Sequence, residues 1–227
     1  MDNNYDIIFL GLAKNIKKTV DNFFRSVEKI SKKTKILVII GENSSKDGTR
    51  DMLLNYKNPH FKFIYLKTDQ LISINNRILR LTDGRQTLKE YILKNKISSN
   101  FVTIIDLDDV ISKGFSDSEY FKMLKILNNN RDSLFGVSSK SKPYYYDLLP
   151  LIIKDYFEFD IYRVQTDFKL FSAFRDRKKY IYDFQRRITK MKDVLTISSH
   201  NGLTTYLFDD YMLGNYISSN VDQIVSE

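Results

Sequence analysis

Apolar residues along this chain follow two rhythms. Asp6-Ile7-Ile8-Phe9-Leu10-Gly11 and Ile36-Leu37-Val38-Ile39-Ile40-Gly41 are short unbroken runs ending at glycine, the pattern of strands buried on both faces. Between them, within 15–30, Val20, Phe23, Phe24, Val27 and Ile30 recur at spacings of three and four, which predicts one apolar face of a helix. A polar turn, Glu42-Asn43-Ser44-Ser45-Lys46-Asp47-Gly48-Thr49, feeds a helical segment carrying Met52, Leu53 and Leu54. Residues 61–66 alternate as a third strand. A helical stretch around 88–93 then leads into Phe101-Val102-Thr103-Ile104-Ile105, a fourth. Strand and helix in strict alternation predict an α/β fold with a mainly parallel central sheet flanked by helices. Ligands of such sheets bind beyond the carboxyl ends of the strands.

The second half is less regular. Helices are expected over 116–127 and 175–192, and strands over 133–138, 194–198 and 203–207. The second helix has eight basic and two acidic residues, with Tyr180, Phe184 and Ile188 as an apolar stripe. No linker divides the chain. A single domain over 1–227 is expected, with 1–110 as a nucleotide-binding half and 111–227 as a smaller acceptor-side half.

Composition narrows the chemistry. With 227 residues the chain can bury an ordinary core, and with no Cys it has no disulfide, thiolate zinc site or thiol nucleophile. The longest apolar run, 36–40, is far short of the ~20 residues of a membrane span. The opening Met1-Asp2-Asn3-Asn4 does not read as a signal peptide. A cytoplasmic location is therefore expected. The formal charge of +8 suits an anionic partner: nucleic acid, membrane surface or phosphorylated small molecule.

Asp106-Leu107-Asp108-Asp109 directly follows a buried strand. Carboxylates so close repel one another and stay ionised only with compensation, and hard divalent cations such as Mg2+ and Mn2+ take oxygen ligands. Glu42, ending the second strand, can accept hydrogen bonds from a ribose or base. Asp47 can cap the helix that follows, Gly11 permits close backbone approach, and the Arg of Asn75-Asn76-Arg77 can fork onto phosphate.

Taken in order, Gly11-Leu12-Ala13-Lys14-Asn15, the Gly41–Thr49 turn, Asn75-Asn76-Arg77 and Asp106-Leu107-Asp108-Asp109 resemble a nucleotide-sugar glycosyltransferase of the GT-A fold. More narrowly, the set is similar to fungal capsule-associated mannosyltransferases and to glycosyltransferases of large DNA viruses. Tyr145-Tyr146-Asp147-Leu148 resembles that group's Tyr-Tyr-Asp element, and Asn201-Gly202-Leu203-Thr204-Thr205-Tyr206 its Asn-Gly-Leu-Ala-Ile-Tyr segment.

The resemblance implies a metal-dependent enzyme that moves a sugar from a nucleoside diphosphate donor, a UDP-sugar, to a hydroxyl of a glycan or glycoprotein acceptor. Gly11, Leu12, Ala13 and Lys14 would line the nucleoside pocket, with Glu42, Asn76, Arg77, Asp106 and Leu107 also on the nucleotide. Asp108 and Asp106 would ligate Mn2+ or Mg2+. Tyr146, His200, Asn201 and Gly202 would surround donor sugar and acceptor, and Asp147 and Glu227 would be the catalytic carboxylates. The group commonly continues with a Glu-His pair, whereas this sequence ends at Ser226-Glu227, as a piece of a longer chain would. Two alternatives stay open: a basic nucleic-acid-binding module, which the acidic cluster disfavours, and a catalytically inactive sugar-nucleotide-binding scaffold.

Overall fold

The computed structural model describes residues 3–108, 112–143, 145, 147–148, 150–153, 174–191 and 194–216, with the backbone path alone for 174–180. Two compact units emerge, 1–137 with 205–227, and 138–204 inserted between them in sequence.

The first unit is built on β1 (Asn4–Ala13), β2 (Ile36–Glu42), β3 (Lys62–Lys67) and β4 (Ser98–Asp106). β1 pairs in parallel with β2 on one side and β4 on the other, and β3 extends the sheet beyond β2. With β5 (Gly136–Ser138) and a late strand over Leu203–Leu207, the order is β3-β2-β1-β4, then the late strand, then β5. The expected α/β class with a mainly parallel sheet is what the chain forms.

β1 shows why the run is apolar throughout. Ile8 and Leu10 pack with Leu88 and Ile92 of α3 (Arg77–Lys94), while Phe9 points to the opposite face. There its ring meets Phe23 of α1 (Val20–Ser31) edge-on at 6.0 Å and Tyr120 of α4 (Asp117–Asn129) at 5.4 Å. Successive residues of a strand point to opposite faces, so a strand sandwiched between helices has no position for a polar side chain. On β4 the exception is hydrogen-bonded: the hydroxyl of Thr103 meets those of Tyr120 at 2.6 Å and Thr205 at 2.9 Å.

Two elements differ from expectation. α1 begins at Val20 rather than near Asn15, because Asn15 takes a positive φ of 56° and the N–H groups of Asn15, Ile16 and Lys17 are taken by another loop. α3 runs from Arg77, well before the apolar stretch at 88–93, because Asn76 caps it by accepting from the N–H groups of Ile78 and Leu79. α2 (Thr49–Asn55) lies between β2 and β3.

The second unit contains β6 (Ile152–Ile153), α5 (Phe174–Lys190) and β7 (Thr196–Ser198), and β8 (Leu203–Leu207) begins in it. β6 and β7 pair antiparallel. Phe184 and Ile188 of the expected stripe are buried with Tyr145, Leu148 and Leu151. Among the described residues no helix is long and apolar enough to cross a membrane.

One buried charge works against the fold. Lys89 on α3 is 1% exposed, and its Nζ has no hydrogen-bond partner among the described residues; it sits 5.7 Å from the ring centroid of Tyr211 in α6 (Phe208–Leu213). Burial lowers its pKa from the ordinary 10.5. The penalty is thus full while the ammonium is charged and fades as pH rises through the lowered value toward 10.5. Lys89→Met keeps the stem's packing and is expected to stabilise the chain by ~1–3 kcal/mol at pH 7. Denaturant unfolding at pH 7 and pH 10 checks this; an advantage that did not shrink at the higher pH would contradict it.

Candidate functional site

β1, β2 and β3 run outward to one side of β1, and the chain then returns to place β4 on its other side. The gap beyond the carboxyl ends of β1 and β4 is the topological switch point of the sheet. Register brings the edge residues level: Asp106 stands opposite Leu12, and Glu42 stands opposite both Ala13 and Lys67.

Hydrogen bonds lace together the loops that leave this edge. From the loop after β1, Asn15 N–H donates to Ser45 Oγ at 2.9 Å, Ile16 N–H to Thr49 Oγ1 at 2.9 Å and Lys17 N–H to Asp47 Oδ2 at 3.1 Å. Lys46 N–H returns a bond to Asn15 Oδ1 at 2.8 Å. Thr19 Oγ1 donates to the Leu107 carbonyl at 2.7 Å, tying the same loop to the one after β4. Asp47 also accepts from the N–H and hydroxyl of Thr49, so it holds the start of α2 as expected. Lys14, Lys17, Lys18 and Lys46 stand exposed on this laced surface.

Glu42 anchors the loop after β2. Its carboxylate is wholly buried and accepts from Ser45 N–H, from Arg50 Nε at 2.6 Å and from the Tyr65 hydroxyl at 3.2 Å. The Arg50 guanidinium also pairs with Asp69, which accepts from the N–H and hydroxyl of Ser44 and lies 3.2 Å from Lys67 Nζ. Burial would raise the Glu42 pKa, but the bonds from Ser45 and Arg50 outweigh it and hold it below the ordinary 4.5. The Arg50 side chain first, then Ser44, hold Asp69 well below the usual carboxylate range. Next along, Asn43 is 7% exposed and donates its N–H to the Ala13 carbonyl at 3.0 Å. Its buried Oδ1 has no donor among the described residues.

The residues expected on the nucleotide fall into two groups. Gly11, Leu12, Ala13 and Leu107 belong largely to packing. A Cβ on Gly11 would lie 2.7 Å from Leu107 Cδ1, so the glycine admits a leucine that is 1% exposed. Ala13 is buried, and Leu12 projects to Gly84 of α3, where an added Cβ would meet its Cδ1 at 2.7 Å. Asn76 spends its carbonyl oxygen on the α3 cap, and Arg77 is exposed in the first turn of that helix. Asp106 and Asp108 stand at the switch point, Asp106 partly exposed and Asp108 exposed.

Sequence reasoning passed over Arg85. Two turns along α3 from Arg77, it brings Nη2 to 3.4 Å from Asp106 Oδ1, both side chains partly exposed. The signal was present in Gly84-Arg85: the glycine lets α3 settle onto Leu12, and the next residue is carried to the strand end. A guanidinium and a carboxylate thus meet where the sheet opens.

Asp106 and Asp108 supply hard oxygen donors of the kind Mg2+ and Mn2+ take, the remaining positions commonly being filled by water and phosphate oxygens. Among the described residues no three carboxylate or imidazole groups converge, and Asp109 lies outside them. Two carboxylates on one strand end fit a cation shared with a bound diphosphate better than a cage made by protein alone.

In the second unit Asn201 is 1% exposed and acts as a hub. Its Oδ1 accepts from Asp147 N–H at 3.0 Å, and its Nδ2 donates to the Ser139 carbonyl at 3.2 Å and to Ser141 Oγ at 3.1 Å. Gly202 follows with a φ of 80°, and half-buried His200 precedes with Nδ1 at 2.8 Å from Thr204 Oγ1. Asn201, Asp147, Gly202 and His200 therefore belong to one local structure. Tyr146 and Glu227 lie outside the described residues.

No protein-family model matches the chain, and no curated protein does. Solved structures do. The chain is similar to S. aureus TarS 1-349 at 12% identity and a TM-score of 0.42, over 65% of this chain and 42% of that one. It is similar to the galactosyltransferase LgtC in complex with donor and acceptor sugar analogues at 14% identity and a TM-score of 0.44, over 97% and 64%. An active-site mutant of LgtC gives 15% and 0.41, over 98% and 65%. The chain spans less than two thirds of the length of each.

Glu42→Gln weakens a buried, charge-assisted network and is expected to lower stability at pH 7 by ~1–3 kcal/mol. Because the folded pKa values of Glu42 and Asp69 lie below 4.5 and 3.8, the network contributes fully above those values. Its contribution is lost as pH falls through the lowered ones. Urea unfolding at pH 7, 4 and 3 tests both points. The gap between wild type and variant should narrow with acid, and a constant gap would count against the assignment.

Proposed function

We propose that this chain is a glycosyltransferase of the GT-A type that moves a sugar from a nucleoside diphosphate sugar, a UDP-sugar, to a hydroxyl of a glycan or glycoprotein acceptor. The observation that supports it most directly is the meeting of Arg85 with Asp106, two residues before the exposed Asp108, at the switch point of the sheet. A diphosphate needs donors or cations for its oxygens, and a guanidinium supplies them in a fork. Asp106 and Asp108 would hold Mn2+ or Mg2+, which when bound neutralises charge developing on the leaving diphosphate.

The nucleoside would lie along the edge beside Ala13 and Lys14, where the buried Asn43 Oδ1 offers an acceptor to a base N–H. Glu42 would act on it through the loop it anchors. Arg77, exposed in the first turn of α3, would reach the nucleotide from outside the edge. On the motif resemblance, Tyr146, His200, Asn201 and Gly202 would contact donor sugar and acceptor, and Asp147 or Glu227 would supply a carboxylate to the reaction. Asn201 would do so as a scaffold, since it bonds Asp147, Ser139 and Ser141 together.

Thermal unfolding with UDP, GDP, ADP and CMP, each with and without Mn2+, tests the donor site. A ligand that binds only the folded chain adds ~2.7 kcal/mol at a hundred times its dissociation constant. One nucleotide, expected to be UDP, should raise the midpoint, and the rise should depend on Mn2+. Asp108→Ala should abolish the Mn2+-dependent part without lowering the midpoint of the free protein, because the side chain is exposed. Arg85→Ala should weaken nucleotide binding with or without the ion. No shift with any nucleotide, or an Asp108→Ala variant that responds as wild type does, would sink the proposal.

A further inference from the structure

Two buried polar groups lie together where α3 meets α6, and neither is satisfied. Lys89 is 1% exposed and Tyr211 6%, and neither Lys89 Nζ nor the Tyr211 hydroxyl has a hydrogen-bond partner among the described residues. Nζ lies 5.7 Å from the centroid of the Tyr211 ring. An ammonium offers three protons and accepts none, and a buried charge is ordinarily paired.

The surroundings supply no acceptor. Leu88 and Ile92, on either side of Lys89 along α3, belong to the same apolar cluster as Tyr211, and Tyr206 and Met212 pack against it. The polar groups of the neighbouring turn are spent on one another or on the main chain. Gln86 Nε2 donates to Glu90 at 3.2 Å, and Gln86 Oε1 accepts from the Tyr216 N–H at 3.3 Å. Nor can Tyr211 itself balance the ammonium. Burial first, then Tyr216 beside it, raise its pKa above the ordinary 10, so the hydroxyl keeps its proton. Arg85, one turn before Lys89 on α3, adds a second positive charge near the Tyr211 hydroxyl. The locality is positive, holds two unspent donors and lacks an acceptor.

We propose that Lys89 and Tyr211 form a binding site for a small monovalent anion between α3 and α6. One ammonium balances one negative charge. A spherical halide accepts from both groups and brings no donor that would need a partner of its own. A diphosphate would leave excess charge among apolar side chains, which is costly. Chloride therefore matches the site in charge and chemistry. Held there, it pairs the buried cation and joins a side chain of α3 to one of α6. The inference does not rest on the glycosyltransferase reading and stands or falls apart from it.

Urea unfolding at pH 7 over rising sodium chloride, with ionic strength held constant by sodium gluconate, tests the site. Above the dissociation constant, the wild-type unfolding constant should fall about tenfold for each tenfold rise in chloride. Lys89→Met should not respond, so its advantage over wild type should be full in gluconate and close as chloride rises. Tyr211→Phe keeps the ring and the ammonium, and should need more chloride for the same effect. Equal slopes in wild type and Lys89→Met would mark a general salt effect and overturn the site, as would a wild type that chloride leaves unchanged. A wild-type crystal grown in sodium bromide reads the ion without any variant. Anomalous density touching both Nζ and the Tyr211 hydroxyl is expected, and density there with no anomalous signal, as a water would give, would refute the anion.

Discussion

Parallel strands that end level with one another leave loops whose backbone groups no ladder can satisfy. Here the loop after β1 resolves this by donating three consecutive N–H groups, from Asn15, Ile16 and Lys17, to side chains of the next crossover. Each acceptor is a short polar side chain, Ser45, Thr49 or Asp47, that tolerates a turn and can reach back to the main chain. Because the donors are backbone atoms, the loop after β1 cannot shift without leaving several of them unmatched, a cost of ~1–3 kcal/mol for each that stays buried. The placement of Lys14 and Ala13, the delayed start of α1 and the position of α2 all follow from this lacing.

Charge is used differently on the two sides of the edge. Under β2, Glu42, Arg50, Asp69 and Lys67 form a closed network in which the carboxylates are heavily engaged. Removing the Glu42 charge is costly because Arg50, Tyr65 and Ser45 all point at it. At β4 the arrangement is open. Asp106 and Arg85 are separated by 3.4 Å, each partly exposed. A pair in that setting contributes little to stability and can be divided without a large penalty. The closed network holds the frame, and the open pair is the part able to exchange partners.

Much of the frame could be read from the sequence because it depends on short-range pattern. The unbroken runs at 6–11 and 36–41 gave their strands directly, and the spacing of Val20, Phe23, Phe24, Val27 and Ile30 gave the buried face of α1. The start of α3 could not be read that way, since Asn76 and the polar first turns carry no apolar stripe. Arg85 was missed for the same reason: its importance comes from Gly84 fitting against Leu12, a contact between residues 72 positions apart. Glu42 could be read as a polar strand end, but not its depth, which depends on Arg50 and Tyr65 approaching from different elements.

The Arg85–Asp106 pair also bears on how a basic chain with an acidic strand end could receive a diphosphate. Alone, Asp106 and Asp108 would repel it, and alone Arg85 would attract it while leaving the carboxylates to oppose it. A divalent cation held by the carboxylates would reverse their sign as seen by the phosphates, and would free Arg85 from Asp106 to fork onto a phosphate oxygen. The two steps would reinforce each other: the ion would make the guanidinium available, and the diphosphate would supply the oxygens that the ion still lacked. Neither ligand alone obtains both benefits. On the proposed function, coupling between ion and nucleotide would therefore be the thermodynamic signature, and it would hold whatever sugar the diphosphate carried.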